Sequence, residues 1–152
     1  MTQDISPECQ QEINQTIELY QQQLEQAIQD IKDKYQKKEQ VNLVHKVDTD
    51  EEFQKILEKA GNNLVVVDFT ANWCGPCKRI APYYQELSQE FTNVVFLKVD
   101  VDDNPETTEK SNISSMPTFQ FYQNKEKVDE FSGANLEKLR QVIEVKSEIK
   151  KN

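Results

Sequence analysis

Apolar residues in the first forty positions recur in steps of three and four: Ile13, Ile17, Tyr20, Leu24, Ala27 or Ile28, Ile31 and Tyr35. That spacing draws one stripe along a helix and stays close to a heptad seam over about three heptads. Ser6 supplies an N-cap, Pro7 suits the first helical position, and no further helix breaker follows until Gly61. Acidic residues lead while Lys32, Lys34, Lys37 and Lys38 trail, which suits the helix dipole. A single narrow stripe cannot bury itself. Residues 1–40 are therefore either a solvated polar extension or a helix used for docking or self-association.

From Val41 the pattern changes. Val41 to Val47 reads as a strand, and Thr49-Asp50-Glu51-Glu52 as a capping box opening a short helix with Phe53, Ile56, Leu57 and Ala60 inward. Gly61 ends that helix. Leu64 to Phe69 is a nearly continuous apolar run, as expected of a strand buried on both faces of a parallel sheet. A helix is expected from about Cys74 to Phe91, kinked at Pro82, then a buried strand from Val94 to Val99. Asn104-Pro105 opens a weak helix reaching about Ser111. Thr118 to Tyr122 and Lys127 to Phe131 alternate as a hairpin around Gln123-Asn124-Lys125, and a last helix runs from about Asn135 to Lys150 with Leu136, Leu139, Val142 and Ile143 on its inner face. The order βαβαβα then ββα predicts an α/β domain over residues 41–152, a central mixed sheet flanked by helices on both faces.

Composition narrows the function classes. The 152 residues carry 18 Lys and Arg against 27 Asp and Glu, a net charge of −9, which disfavours nucleic acid and anionic membrane surfaces as partners. No apolar run approaches the ~20 residues of a membrane span. Met1 to Gln15 has neither a basic n-region nor an apolar h-region, so no secretory signal is expected. Of three cysteines, two lie in a C-x-x-C. Zinc at that spacing normally needs a second Cys/His pair, and only Cys9 and His45 remain, so no metal is expected. A reducing, cytoplasmic location fits best.

The C-x-x-C is Trp73-Cys74-Gly75-Pro76-Cys77. Cys74 falls where a buried strand ends and a helix begins, beside free N–H groups and a partial charge of roughly +0.5. That field stabilises a thiolate, the attacking species. Cys77, one turn on, lies within bonding reach and can resolve a mixed disulfide. Gly75 leaves room for an approaching substrate, and Pro76 stiffens the first turn. Asp68 interrupts an apolar strand. It either points to an exposed strand end or is a buried proton acceptor for Cys77, acting through water. Lys98 either snorkels to the surface or reaches the same carboxylate. Trp73 is core or part of a substrate surface. Met116-Pro117 precedes a strand, and a cis peptide is expected there. His45 reads as structural and Cys9 as an ordinary thiol.

The stretches Val65-Val66-Val67-Asp68-Phe69, Trp73 to Lys78, Phe96 to Asp102, Met116-Pro117-Thr118-Phe119 and Phe131-Ser132-Gly133-Ala134 together resemble the thioredoxins, of the eukaryotic cytosolic type. The resemblance covers about residue 41 to the C-terminus and leaves residues 1–40 aside. It implies a thioredoxin fold and a protein-disulfide reductase. Cys74 would attack, Cys77 would resolve, and Asp68 with Lys98 would manage the proton. Trp73, Gly75, Pro76, Met116, Pro117 and Gly133 would form the substrate groove, with Pro117 cis and Met116 offering backbone hydrogen bonds. No bound cofactor is implied; electrons would come from NADPH through a thioredoxin reductase. Expected partners are disulfide-containing proteins, that reductase, and a docking protein or second copy through residues 8–38. The competing reading is an accessory subunit docked through its N-terminal helix in a large assembly, such as a ciliary axoneme. Three departures from the family stand out: a hairpin turn of Asn124-Lys125-Glu126 where Gly is usual, Thr107 and Thr108 where apolar residues would tighten a helix, and Ser115 where animal relatives carry a cysteine nearby.

Overall fold

The computed structural model describes residues 4–36 and 42–148. Lys37, Lys38, Val41 and Lys150, which the sequence places in helices or a strand, lie outside them. The chain divides into two compact units, Met1–Val41 and Asn42–Asn152.

The first unit holds helix α1, Pro7–Gln36. Ser6 caps it, its Oγ accepting from the Cys9 N–H at 3.3 Å and its carbonyl from the Gln10 N–H at 3.0 Å. Gln26 and Gln29 donate to Asp30 and Asp33 one turn on, both at 2.9 Å, the i,i+4 pairing that supports a solvated helix. The whole apolar stripe is exposed, from 42% at Ile13 to 69% at Tyr20.

In the second unit, β1 (Val44–Lys46), β2 (Val65–Thr70), β3 (Val95–Asp100), β4 (Thr118–Gln123) and β5 (Glu126–Ser132) form one sheet in the order β1-β3-β2-β4-β5. The first three are parallel and the last two run antiparallel. Strand β1 is shorter than expected, yet Val47 beyond it is fully buried and its N–H bonds the Lys98 carbonyl. The two-residue periodicity of β2 builds both cores. Val65, Val67 and Phe69 pack with Phe53 and Leu57 of α2 (Asp50–Ala60). Val66 faces Ile80, Tyr84 and Leu87 of α3 (Gly75–Glu90) and Leu139 and Ile143 of α5 (Leu136–Glu148). Asp68 shares the parity of Val66 and so faces α3.

Helix α3 runs as one element with Pro82 inside it. Two local expectations change. Thr49 caps α2 through the Glu52 N–H, but the Glu52 carboxylate turns to the Asp48 N–H and the His45 ring instead of closing the box. In α4 (Pro105–Lys110) Thr107 is fully buried and donates to Asp50, which also pairs with Lys110, so a polar cluster ties this helix to α2 where apolar packing would otherwise serve.

The β4–β5 turn is tighter than the sequence pattern suggests. Only Asn124 and Lys125 lie outside the strands, and both have positive φ, 53° and 67°. That is the two-residue hairpin geometry that favours Asn-Gly. Asn tolerates the left-handed region, whereas Lys in it is strained by about 1–2 kcal/mol, partly offset by the entropy glycine would lose. Lys125→Gly is expected to stabilise the protein by about 0.5–1 kcal/mol in urea unfolding, and Asn124→Gly by less. Equal effects, or a loss at Lys125, would show that the turn is not under this strain.

Candidate active site

Strand β2 ends at Thr70, and within five residues α3 begins. The Cys74 N–H bonds the Ala71 carbonyl at 3.2 Å, which brings Cys74 to the N-cap of α3 with extended backbone. Its Sγ accepts the Cys77 N–H at 3.3 Å, and its carbonyl takes the first helical bond, from Lys78, at 3.2 Å. The thiol expected at the helix start is thus the cap itself, where the free N–H groups converge. Cys74 and Cys77 form a disulfide with Cα atoms 5.3 Å apart. Cys74 is 6% exposed and Cys77 2%, so the outer sulfur is the one an incoming partner meets first.

Asp68 lies at the middle of β2 and is 2% exposed. Its Oδ1 has no hydrogen-bond partner among the described residues. The exposed-strand-end reading therefore fails. Burial pushes this carboxyl up to about 7, against the pull of the Lys98 ammonium. Lys98 is the register partner of Asp68 on β3 and is half-buried. A cavity of about 200 Å³ is lined by Asp68, Cys77, Lys98, Ala81 and Asp100 among others, so the acid, the inner cysteine and the lysine share one space with room for several waters. A group with a pKa near neutrality beside a thiol suits proton transfer at physiological pH.

Around the disulfide the other expected residues divide into two rims. Trp73 is 67% exposed and its indole Nε1–H donates to Asp102 at 3.0 Å, so it is surface rather than core. A Cβ built on Gly75 would meet only an Arg79 guanidinium nitrogen at 3.8 Å, and Pro76 occupies the first turn. Met116 packs on Ala71, Cys74 and Cys77. The Met116–Pro117 bond is cis. The Gly133 N–H donates to the Pro117 carbonyl at 2.9 Å, and Gly133 sits at φ 103° with open space where a side chain would be.

One neighbour of the site escaped sequence reasoning. Tyr84 is buried, and its hydroxyl lies 3.0 Å from the Val66 carbonyl and 2.6 Å from that of Leu97. It thereby bridges the two strands next to Asp68 and Lys98. Its position seven residues after Cys77 put it on the same helix face, but an aromatic there reads equally as plain core. Among the described residues no group of three His, Cys, Asp or Glu side chains is placed to hold a metal.

A disulfide capping a helix at the end of a central strand, with a buried acid behind it, defines a dithiol–disulfide oxidoreductase site. The comparisons with known proteins agree. The family model described as Thioredoxin matches residues 44–145. A thioredoxin of Callithrix jacchus is 52% identical over 101 residues, 66% of this chain and 96% of that protein. A solved Plasmodium falciparum thioredoxin is 53% identical with a TM-score of 0.63, over 66% of this chain and 97% of that one. A thioredoxin f2 solved in complex with ferredoxin:thioredoxin reductase is 41% identical with a TM-score of 0.64, over 67% and 93% of the two chains. The chain belongs to the thioredoxin family and is a thiol–disulfide oxidoreductase. The accessory-subunit reading is not favoured.

The buried acid makes a pH prediction. Unfolded, Asp68 loses its proton near the ordinary ~3.9; folded, near 7. Between those values the folded state holds more protons, so this group's contribution to stability declines as pH rises through the window and is flat above it. The full difference is on the order of 4 kcal/mol. In the oxidised protein, Asp68→Asn is expected to gain stability over the parent progressively from pH 4 to pH 7 in urea melts. A pH-independent difference would show that Asp68 titrates normally.

Proposed function

We propose that Cys74 is the attacking sulfur, Cys77 the resolving one, Asp68 the acceptor of the Cys77 proton through cavity water, and Lys98 the charge that keeps Asp68 titrating near neutrality. The observation that carries this reading is the shared cavity of Asp68, Cys77 and Lys98 beneath the capped disulfide. The Cys74 thiolate attacks a substrate S–S bond, forming a mixed disulfide and releasing one substrate thiolate. Cys77 passes its proton to Asp68, and its sulfur attacks Cys74 Sγ. That frees the second substrate thiolate and leaves the Cys74–Cys77 disulfide. Two electrons have then moved from protein to substrate.

The substrates in this reading are proteins with accessible disulfides. An extended segment lies between the Trp73-Gly75-Pro76 rim and the Met116, Pro117 and Gly133 rim, borrowing main-chain hydrogen bonds at Met116. No cofactor is bound. NADPH supplies electrons through a thioredoxin reductase in this reading; membership of the thioredoxin family supports a reductase as partner, as does the related thioredoxin f2 solved in complex with ferredoxin:thioredoxin reductase. The location in this reading is cytoplasmic, a reducing compartment that keeps such a dithiol available for exchange. Residues 1–40 form a docking extension on the 41–152 reductase domain. In support, the family model begins at residue 44, and 101 residues of this chain match 96% of the C. jacchus thioredoxin.

Reduction of insulin by dithiothreitol or thioredoxin reductase tests the chemistry. Cys74→Ser is expected to abolish it, and Cys77→Ser to accumulate a covalent mixed disulfide visible by mass spectrometry. An active Cys74→Ser protein would reverse the assignment. Deleting residues 1–40 is expected to leave turnover within about twofold, because every proposed catalytic group lies in the second unit, and to release the protein from its native complex. A deletion that alters neither partners nor location would make the extension a solvated tail.

A further inference from the structure

We propose that α1 pairs with the α1 of a second copy of this chain as an antiparallel two-stranded coiled coil with its dyad at Gln22. This rests on the docking reading of the extension and names its occupant. The seam of α1 runs Gln10, Ile13, Ile17, Tyr20, Leu24, Ala27, Ile31, Lys34, alternating steps of three and four without interruption. Laid against its own reverse about Gln22, the seam matches itself at every layer. Ile13 meets Ile31, Ile17 meets the small Ala27, and Tyr20 meets Leu24. The two polar seam residues, Gln10 and Lys34, meet each other at the ends.

The flanks fit as well. Gln21 and Gln23 border the dyad, and each meets its own copy, amide against amide, where donors and acceptors complement. Charge selects the same direction. In α1 the half before the dyad carries Glu8, Glu12 and Glu18 with no cation, whereas the half beyond it offsets Glu25, Asp30 and Asp33 with Lys32 and Lys34. Antiparallel pairing sets the strongly acidic half against the nearly balanced one and opposes the helix dipoles. Parallel pairing stacks Lys34 on Lys34 in the seam, leaves Ala27 facing Ala27, and aligns the two strongly acidic halves along their outer faces.

The area suffices. The exposed stripe offers on the order of 700 Å² per helix, close to the roughly 800 Å² per partner of a standard interface. Thirty residues make the rod about 45 Å long. Every proposed catalytic group belongs to the second unit and none to the seam.

The test uses the full-length chain. Sedimentation of the reduced protein is expected to show a dimer at micromolar concentration. Leu24→Asp is expected to weaken it by at least about a hundredfold without changing insulin turnover per chain. Direction is read by cross-linking in a Cys9→Ser, Cys74→Ser, Cys77→Ser background. Ile13→Cys and Ile31→Cys chains should each fail to form a disulfide dimer alone and should form one when mixed. Cross-linking of either alone would overturn the antiparallel pairing. A protein that stays monomeric overturns self-pairing altogether. If deletion of residues 1–40 then still releases it from a native complex, the docking reading stands with a different protein as occupant; if not, both fall.

Discussion

Everything at the reactive end of this domain depends on one junction, the point where β2 stops and α3 starts at Cys74. A helix start leaves backbone N–H groups without intrahelical partners, and they need an acceptor. Here a sulfur fills that place, taking the Cys77 N–H. The same groups that need a cap stabilise negative charge on the cap, so a structural requirement of the helix and an electronic requirement of the nucleophile are met together. The junction is held rigidly because β2 is central in the sheet, paired to β3 on one side and β4 on the other, with helices over both faces. The cis Met116–Pro117 turn enters β4 beside it, which is how a residue forty positions away reaches the disulfide.

Behind the junction the domain tolerates a costly group. A carboxyl in a strand whose other buried residues are Val and Phe lowers stability wherever it is ionised, and its Oδ1 finds no partner among the described residues. A sequence selected for stability alone would place an apolar residue there. The cost becomes intelligible once Cys77 and Lys98 are seen on the same cavity: a group held near neutrality by burial on one side and a cation on the other can take and return a proton at little energetic expense. Local rules broken at a functional position and obeyed around it are what a working site looks like.

The features legible in the sequence were those set by short-range chemistry. The apolar run of β2, the helix starts at Thr49 and Asn104 and the C-x-x-C spacing each carry their structural consequence within a few residues, and all are found where expected. What was not legible depends on distant partners. Glu52 leaves its own cap for the His45 ring and the Asp48 N–H, and Thr107 is tolerated in a buried position because Asp50 supplies a partner from another helix. The Tyr84 hydroxyl and the Trp73–Asp102 bond belong to the same class. Whether Asp68 faced a core or a strand end also required the fold, since parity alone does not say which face is covered.

The proposed chemistry requires an asymmetry between two cysteines three residues apart: Cys74 as the charged, approachable nucleophile, and Cys77 as a thiol that gives its proton to Asp68. Iodoacetamide separates them directly, because it reacts with thiolate rather than thiol. Brief treatment of the fully reduced protein at mildly acidic pH, followed by peptide mass spectrometry, is predicted to place the adduct on Cys74 with Cys77 left unmodified. Equal labelling of the two, or labelling of Cys77 first, would contradict the mechanism.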